Sequence, residues 1–145
     1  MDTKNKEDSC QEAIAAIQED LELFDDWTER YQYLIEEGRA MPPMPEELMT
    51  EEHKVPGCQS QVWIDTTEKE GKLIFQGASD AAIVQGLVAL VLRVYSHRTP
   101  KEILETSPVF LKDLGLIGAL SANRGNGVSS MAAYIQTRAK QALEG

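Results

Sequence analysis

From Cys10 onward, apolar residues recur at helical spacing. Ile14, Ile17, Leu21 and Phe24 fall on one stripe, which predicts an amphipathic helix. The polar residues 1–8 before it are expected to fray. Asp25-Asp26 interrupts the stripe. Asp26-Trp27-Thr28-Glu29 then has the form of a capping box. It predicts a second helix with Trp27, Tyr31, Leu34 and Ile35 facing inward and Gly38 at its C-terminal stop. Pro42, Pro43 and Pro45 impose a loop or an extended crossing. After them the period changes from helical to two. Lys54-Val55 reads as a short strand leading into a Pro56-Gly57-Cys58 turn. Gln61 to Thr67 alternates, with Val62 and Ile64 on one face and Trp63 and Asp65 on the other. Glu68-Lys69-Glu70-Gly71 is a turn. Lys72 to Gln76 alternates again, with Leu73 and Phe75 together, and Gly77 ends the run. These segments predict an antiparallel hairpin.

Helical spacing returns after the hairpin. Ser79 is placed to cap the next helix, with Asp80 in its first turn. That helix runs to about Ser96 and is apolar nearly all round, so it belongs in the middle of the domain against the sheet. Thr99-Pro100-Lys101-Glu102 opens another helix, with proline at its first position and Glu102 able to close a box. Ser107-Pro108 starts a short piece ending near Gly115. Ser121 to Gly127 reads as a Gly- and Asn-rich loop, and the last helix carries Val128, Met131, Ile135, Ala139 and Ala142 on one stripe. No repeat and no dividing linker appears, so residues 1–145 form one domain. The predicted fold class is α+β: a small antiparallel sheet built on a hairpin and packed against several helices.

Charge narrows the range of partners. The net charge is −10. Residues 1–52 hold 16 Asp/Glu against 4 Lys/Arg, and the remainder holds 8 against 10. An acidic chain without a basic stripe repels phosphate backbones, which argues against nucleic acid. The acidic N-terminal third reads as a solvated helical face or as a surface that steers a basic partner. No secretory leader is evident, and the longest uncharged apolar stretch, Ala81 to Leu92, is shorter than the roughly 20 residues that span a bilayer. The expected setting is the cytoplasm, with no membrane association and with reduced thiols. Two cysteines, Cys10 and Cys58, and two histidines, His53 and His97, give no zinc spacing, so no metal site is expected. No phosphate-cradling glycine loop is present, and no cofactor is expected.

The candidate chemistry is Cys58, a thiol at a Pro-Gly turn directly ahead of a strand. Taken alone, such a residue is as readily a buried small hydrophobe. Cys10 lies on the stripe of Ile14 and Ile17 and reads as packing or surface. His53 and Lys54 read as solvated loop residues, and His97 has no assigned role.

The motif around Cys58 settles the balance. Gly57-Cys58-Gln59-Ser60-Gln61-Val62-Trp63-Ile64 is followed by a hairpin and, about twenty residues on, by Ser79-Asp80-Ala81-Ala82-Ile83-Val84. An Arg124-containing loop then precedes the C-terminal helix. In that order and spacing, from about Leu21 to the C-terminus, the chain resembles the SufE family, whose fold is shared with IscU-type scaffold proteins. The resemblance implies a sulfur acceptor and carrier. Such a protein takes persulfide sulfur from a pyridoxal-phosphate cysteine desulfurase of the SufS type onto its own cysteine, here Cys58. It stimulates that desulfurase and delivers sulfur to an iron-sulfur scaffold protein. It is a partner and activator rather than an independent enzyme, and the pyridoxal phosphate belongs to the desulfurase. The resemblance makes Gly57, Gln59, Ser60, Gln61, Asp80 and Arg124 candidate loop and partner contacts. The departures from the family pattern are local, at residues 1–8, at 42–45 and at Gly125-Asn126.

These residue types suit thiolate attack on sulfur-bound sulfur, which needs an accessible thiol with some thiolate near neutral pH. Cys58 is expected to tuck against apolar side chains when idle and to swing out on docking. Two other functions compete. An IscU-like cluster scaffold needs several thiolate or imidazole ligands, and this chain has one motif cysteine. A thiol redox protein needs a resolving cysteine, and Cys10 is poorly placed in sequence to serve.

Overall fold

In this computed structural model the described residues are 7–56, 61–116 and 122–144, with the side chains of 122–127 excepted. Helix α1 spans Cys10–Glu22, capped by Ser9, whose hydroxyl accepts from the Glu12 amide. Helix α2 spans Trp27–Ala40, and Asp26 caps it by accepting from the Glu29 amide at 2.9 Å. Two single-turn 3₁₀ helices, Glu46–Leu48 and Glu51–His53, follow the prolines. Strands β1 (Val62–Lys69) and β2 (Lys72–Ser79) form the antiparallel hairpin, and helices α3 (Ala82–Tyr95), α4 (Pro100–Glu105), α5 (Phe110–Asp113) and α6 (Ala122–Glu144) complete the chain. The α+β architecture matches the sequence pattern.

The hairpin closes through a two-residue turn. Glu70 (φ 54) and Gly71 (φ 80) join the pair Lys69–Lys72, the type I′ geometry that matches strand twist. Each strand is longer than its alternation suggested. Gly77 does not end β2 but pairs with Ile64 in its interior. A Cβ at Gly77 would lie 2.8 Å from Val88 Cγ1 of α3. The missing side chain therefore lets the central helix seat on the sheet, which is why glycine stands in a strand here.

Val62, Ile64, Leu73 and Phe75 face the core, where α3 contributes Val84, Leu87, Val88, Val91 and Val94. Burying each such side chain stabilises the fold by roughly 1.5–3 kcal/mol, so α3 is the keystone of the domain. Helices α1, α2 and α6 pack around it. Gly38 lies inside α2 rather than stopping it. A Cβ there would come within 2.9 Å of the Gly86 amide of α3, and one on Gly86 would overlap the Leu34 carbonyl. These glycines allow α2 and α3 to touch backbone to backbone. On α2 the buried positions are Tyr33 and Leu34, while Trp27, Tyr31 and Ile35 are half-buried.

Several other expectations are corrected. Glu7 is not frayed: its carboxylate meets Arg93 at 2.8 Å, and its carbonyl accepts from the buried Arg98 at 2.9 Å. Arg93 also reaches Asp20 and Glu37, tying α1 and α2 to α3. Thr99 caps α4 as expected, but Glu102 accepts from the Cys10 amide at 2.8 Å instead of closing a box. Residues Ala122–Gly127, expected as a loop, are the first turns of α6. The stripe Val128, Met131, Ile135 and Ala139 is buried as predicted.

Candidate functional site

The frame around the cysteine turn is built from the open end of the hairpin. Gly57, Cys58, Gln59 and Ser60 lie outside the described residues, as does the side chain of Arg124, whose backbone belongs to α6. The expected tucking and swinging of Cys58 falls on the same residues. The two arms that carry the turn are described. On the entering arm, Lys54 bridges to Trp63, and the buried Val55 donates its amide to the Val62 carbonyl at 2.9 Å. This is the short strand anticipated at Lys54-Val55, reduced to a two-residue contact on the outer edge of β1. Pro56 follows and is exposed.

On the leaving arm, Gln61 faces Asp80, one position beyond the last registered pair, Val62–Ser79. The Gln61 amide donates to Asp80 Oδ1 at 3.0 Å, and its side-chain Nε2 lies 3.4 Å from Oδ2. The Asp80 amide donates back to the Gln61 carbonyl at 3.3 Å. Two predicted residues are thus brought together, with Asp80 outside the helix turn in which the sequence placed it. Ser79 is the last residue of β2, and Ala81 occupies the N-cap position of α3. Asp80 therefore sits before the helix and spends its carboxylate on the strand opposite. Ser79 donates its amide to Gln85 Oε1 at 2.7 Å, and its hydroxyl accepts from the Ala81 amide at 3.3 Å, which fixes the start of α3 to the end of β2.

The outer face of the hairpin has its own small cluster. Trp63 and Ala78 pack with Met44, and Leu48 and Met49 lean against them. The proline-rich segment thereby covers the sheet face that does not meet the helices. Trp63 is buried in this satellite cluster, on the face opposite Val62 and Ile64. Beside it, His53 Nε2 lies 3.0 Å from Asp65 Oδ1, and Nδ1 lies 3.1 Å from Thr50 Oγ1. His53, expected as a solvated loop residue, is instead largely covered and paired, because nothing local signals a contact across twelve residues. Lys54 pairs with the exposed Glu51 at 3.2 Å.

Cys10 is fully buried, and burial pushes its thiol above the ordinary range, partly opposed by a hydrogen bond with Thr106. Of the two readings its place on the α1 stripe left open, packing or surface, the structure gives packing. Among the described residues, no group of three or more His, Cys, Asp or Glu side chains is placed to hold a metal ion. No helix among them is long and apolar enough to cross a membrane.

Comparison with known proteins adds to this geometry. Residues 15–139 match the model of the SufE family, described as an Fe-S metabolism associated domain. An uncharacterized SufE-like protein of Rhizobium etli is 45% identical over 134 residues, covering 88% of this chain and 90% of the relative. A second SufE-like protein, from Rhizobium meliloti, is 43% identical over 137 residues, covering 90% and 97%. Among solved structures, the solution structure of a hypothetical protein from Thermus thermophilus superposes with a TM-score of 0.76 at 21% identity, covering 92% of this chain and 97% of that one. That likeness establishes the shared fold.

Proposed function

The chain belongs to the SufE family of Fe-S metabolism associated domains, and from that premise we propose that it is a sulfur acceptor and carrier working on Cys58. The sulfur donor is a SufS-type cysteine desulfurase, which this protein stimulates by emptying the donor's cysteine. The receiver is an iron-sulfur scaffold protein, and the setting is the cytoplasm.

The observation that supports the reading most directly is the frame at the open end of the hairpin. The motif cysteine falls between two arms that are both pinned to the same rigid hairpin, by Val55 to Val62 on one side and by Gln61 to Asp80 on the other. A thiol offered to another protein's active site needs that kind of base, because small misplacements of a reacting atom slow the reaction steeply.

In the proposed step the Cys58 thiolate attacks the outer sulfur of the donor's persulfide. A new S–S bond forms to Cys58, the donor's S–S bond breaks, and the donor cysteine leaves as a thiolate. Onward delivery repeats the exchange, with Cys58 as the leaving thiolate. Gly57, Gln59 and Ser60 belong to the presenting turn, Gln61 and Asp80 to its anchor. Arg124 is the cation assigned to the thiolate or to the partner.

The full burial of Cys10 disfavours a dithiol redox reading, since a resolving thiol needs access. Anaerobic incubation with iron and sulfide tests the scaffold reading, which a stoichiometric cluster chromophore would revive.

The deciding experiment is intact mass after incubation with a SufS-type desulfurase and free cysteine. A gain of one or more sulfur atoms mapping to Cys58 is expected, with a slower gain for Arg124→Ala. A chain that gains no sulfur there is not the carrier.

A further inference from the structure

We propose that His53 and Asp65 form a positioning pair that fixes the entering arm of the Cys58 turn. The functional meaning of the pair rests on the carrier reading; its test does not.

His53 is the last residue of its 3₁₀ turn, and the next two residues make the backbone contacts with Trp63 and Val62. Among the described residues that contact is a single bridge on the edge of β1. Short edge pairings of this kind open readily unless side chains hold them. Upstream, Met44, Leu48 and Met49 rest on Trp63 and Ala78. In the chain His53 lies between those residues and the bridge, and both its ring nitrogens are engaged.

The side chains of His53 and Asp65 are 22% and 16% exposed, so water screens their attraction only in part. The carboxylate is acceptor-only, which makes Nε2 the donor to it. Thr50 serves the other nitrogen in either ring state. Its hydroxyl donates to a neutral Nδ1, and its oxygen accepts from a protonated one. The ring is thereby fixed in orientation as well as in place.

The two arms then share one device. Each is held by an aspartate presented from the hairpin: Asp80 just past β2 takes the Gln61 amide, and Asp65 on the outer face of β1 takes the His53 ring. The arms differ in what the aspartate grips. The leaving arm is gripped by its backbone. The entering arm is gripped by a side chain one residue outside its backbone bridge, so the identity of residue 53 sets how firmly that arm is seated.

The test follows alkylation of Cys58 by iodoacetamide, mapped by mass spectrometry, with the fully buried Cys10 as internal control. His53→Ala should raise the Cys58 rate about fivefold and speed amide exchange at 54, 55 and 61, the scale expected for losing one partly buried side-chain hydrogen bond. Asp65→Ala should match it, and the double variant should be no faster than either single one. His53→Gln should restore the wild-type rate, because its amide keeps a donor toward Asp65. With a desulfurase present, His53→Ala should raise the half-saturating concentration of this protein and leave the plateau rate unchanged.

A Cys58 rate within about twofold of wild type, with Cys10 still protected, overturns the pairing, as does a double variant whose effect is the product of the singles. Should His53→Ala expose Cys10, Asp65→Val, which removes the acceptor and suits a strand, decides by the same criterion. A wild-type chain that never acquires sulfur would end the carrier reading while the alkylation rates judged the pair by themselves.

Discussion

The hairpin has two ends, and they are made differently. At Glu70-Gly71 the chain reverses in two residues, and backbone dihedrals do the work: both φ values are positive, and a Cβ on Gly71 would meet nothing within 4 Å. At the other end, residues 56–60 are carried between arms that side chains fasten: Asp80 to Gln61, His53 to Asp65, and Met44 against Trp63. A turn that only reverses the chain is encoded in two adjacent residues. A turn that presents a reactive group needs its arms placed, and the residues that place them come from four separate segments.

Substitutions at the two ends should separate along this line. The largest effect belongs to Cys58→Ser, which should abolish sulfur acquisition and desulfurase stimulation while leaving the melting temperature unchanged. Full stimulation by that variant would remove the functional end from the comparison. Asp80→Ala comes next. It leaves the Gln61 amide without its carboxylate and should cost about 0.5–1.5 kcal/mol of local stability. The readout is faster amide exchange at Gln61 together with a lower rate of sulfur transfer, and unchanged exchange would show that the reciprocal backbone bond alone holds the arm.

At the opposite end, Gly71→Ala places a side chain at φ 80 and should cost about 1 kcal/mol in denaturant unfolding, with no change in sulfur transfer. A transfer defect there would mean that the two ends are mechanically coupled.

The smallest effect is nil at neutral pH and appears only in alkali. Burial raises the Cys10 thiol above its usual value and pushes the Tyr95 hydroxyl up to about 12. The unfolded chain therefore releases these protons first, and stability falls as pH rises past the ordinary thiol and tyrosine ranges toward 12. Unfolding midpoints measured across that range check the sign. Cys10→Ala should flatten the earlier part of the decline.

Much of this was legible before any coordinates. The strands around Val62–Ile64 and Leu73–Phe75 follow from period-two alternation, α3 from its all-round apolarity, and the Asp26 and Thr99 caps from residue type and position. Each depends on neighbours within a few residues. The misreadings share the opposite property. Gly38 looks like a helix stop and Gly77 a strand end, because glycine ends elements more often than it seats one helix on another. Asp80 looks like a helix-opening carboxylate until Gln61 is found across the hairpin. Ala122–Gly127 looks like part of a loop because Gly and Asn disfavour helix, yet the α6 stripe carries the helix back through them.

By itself, the sequence determined the order and kind of the elements, the inward face of each strand, and the one cysteine set in a recognisable family motif, since all of these are written in local chemistry and spacing. Only the tertiary structure decided that Glu7 belongs to Arg93, that Cys10 is sealed in the core, and that His53 and Asp80 hold the arms of the cysteine turn. The reason is physical: a carboxylate or an imidazole has many possible partners along a chain, and packing around α3 chooses which of them come within hydrogen-bond reach.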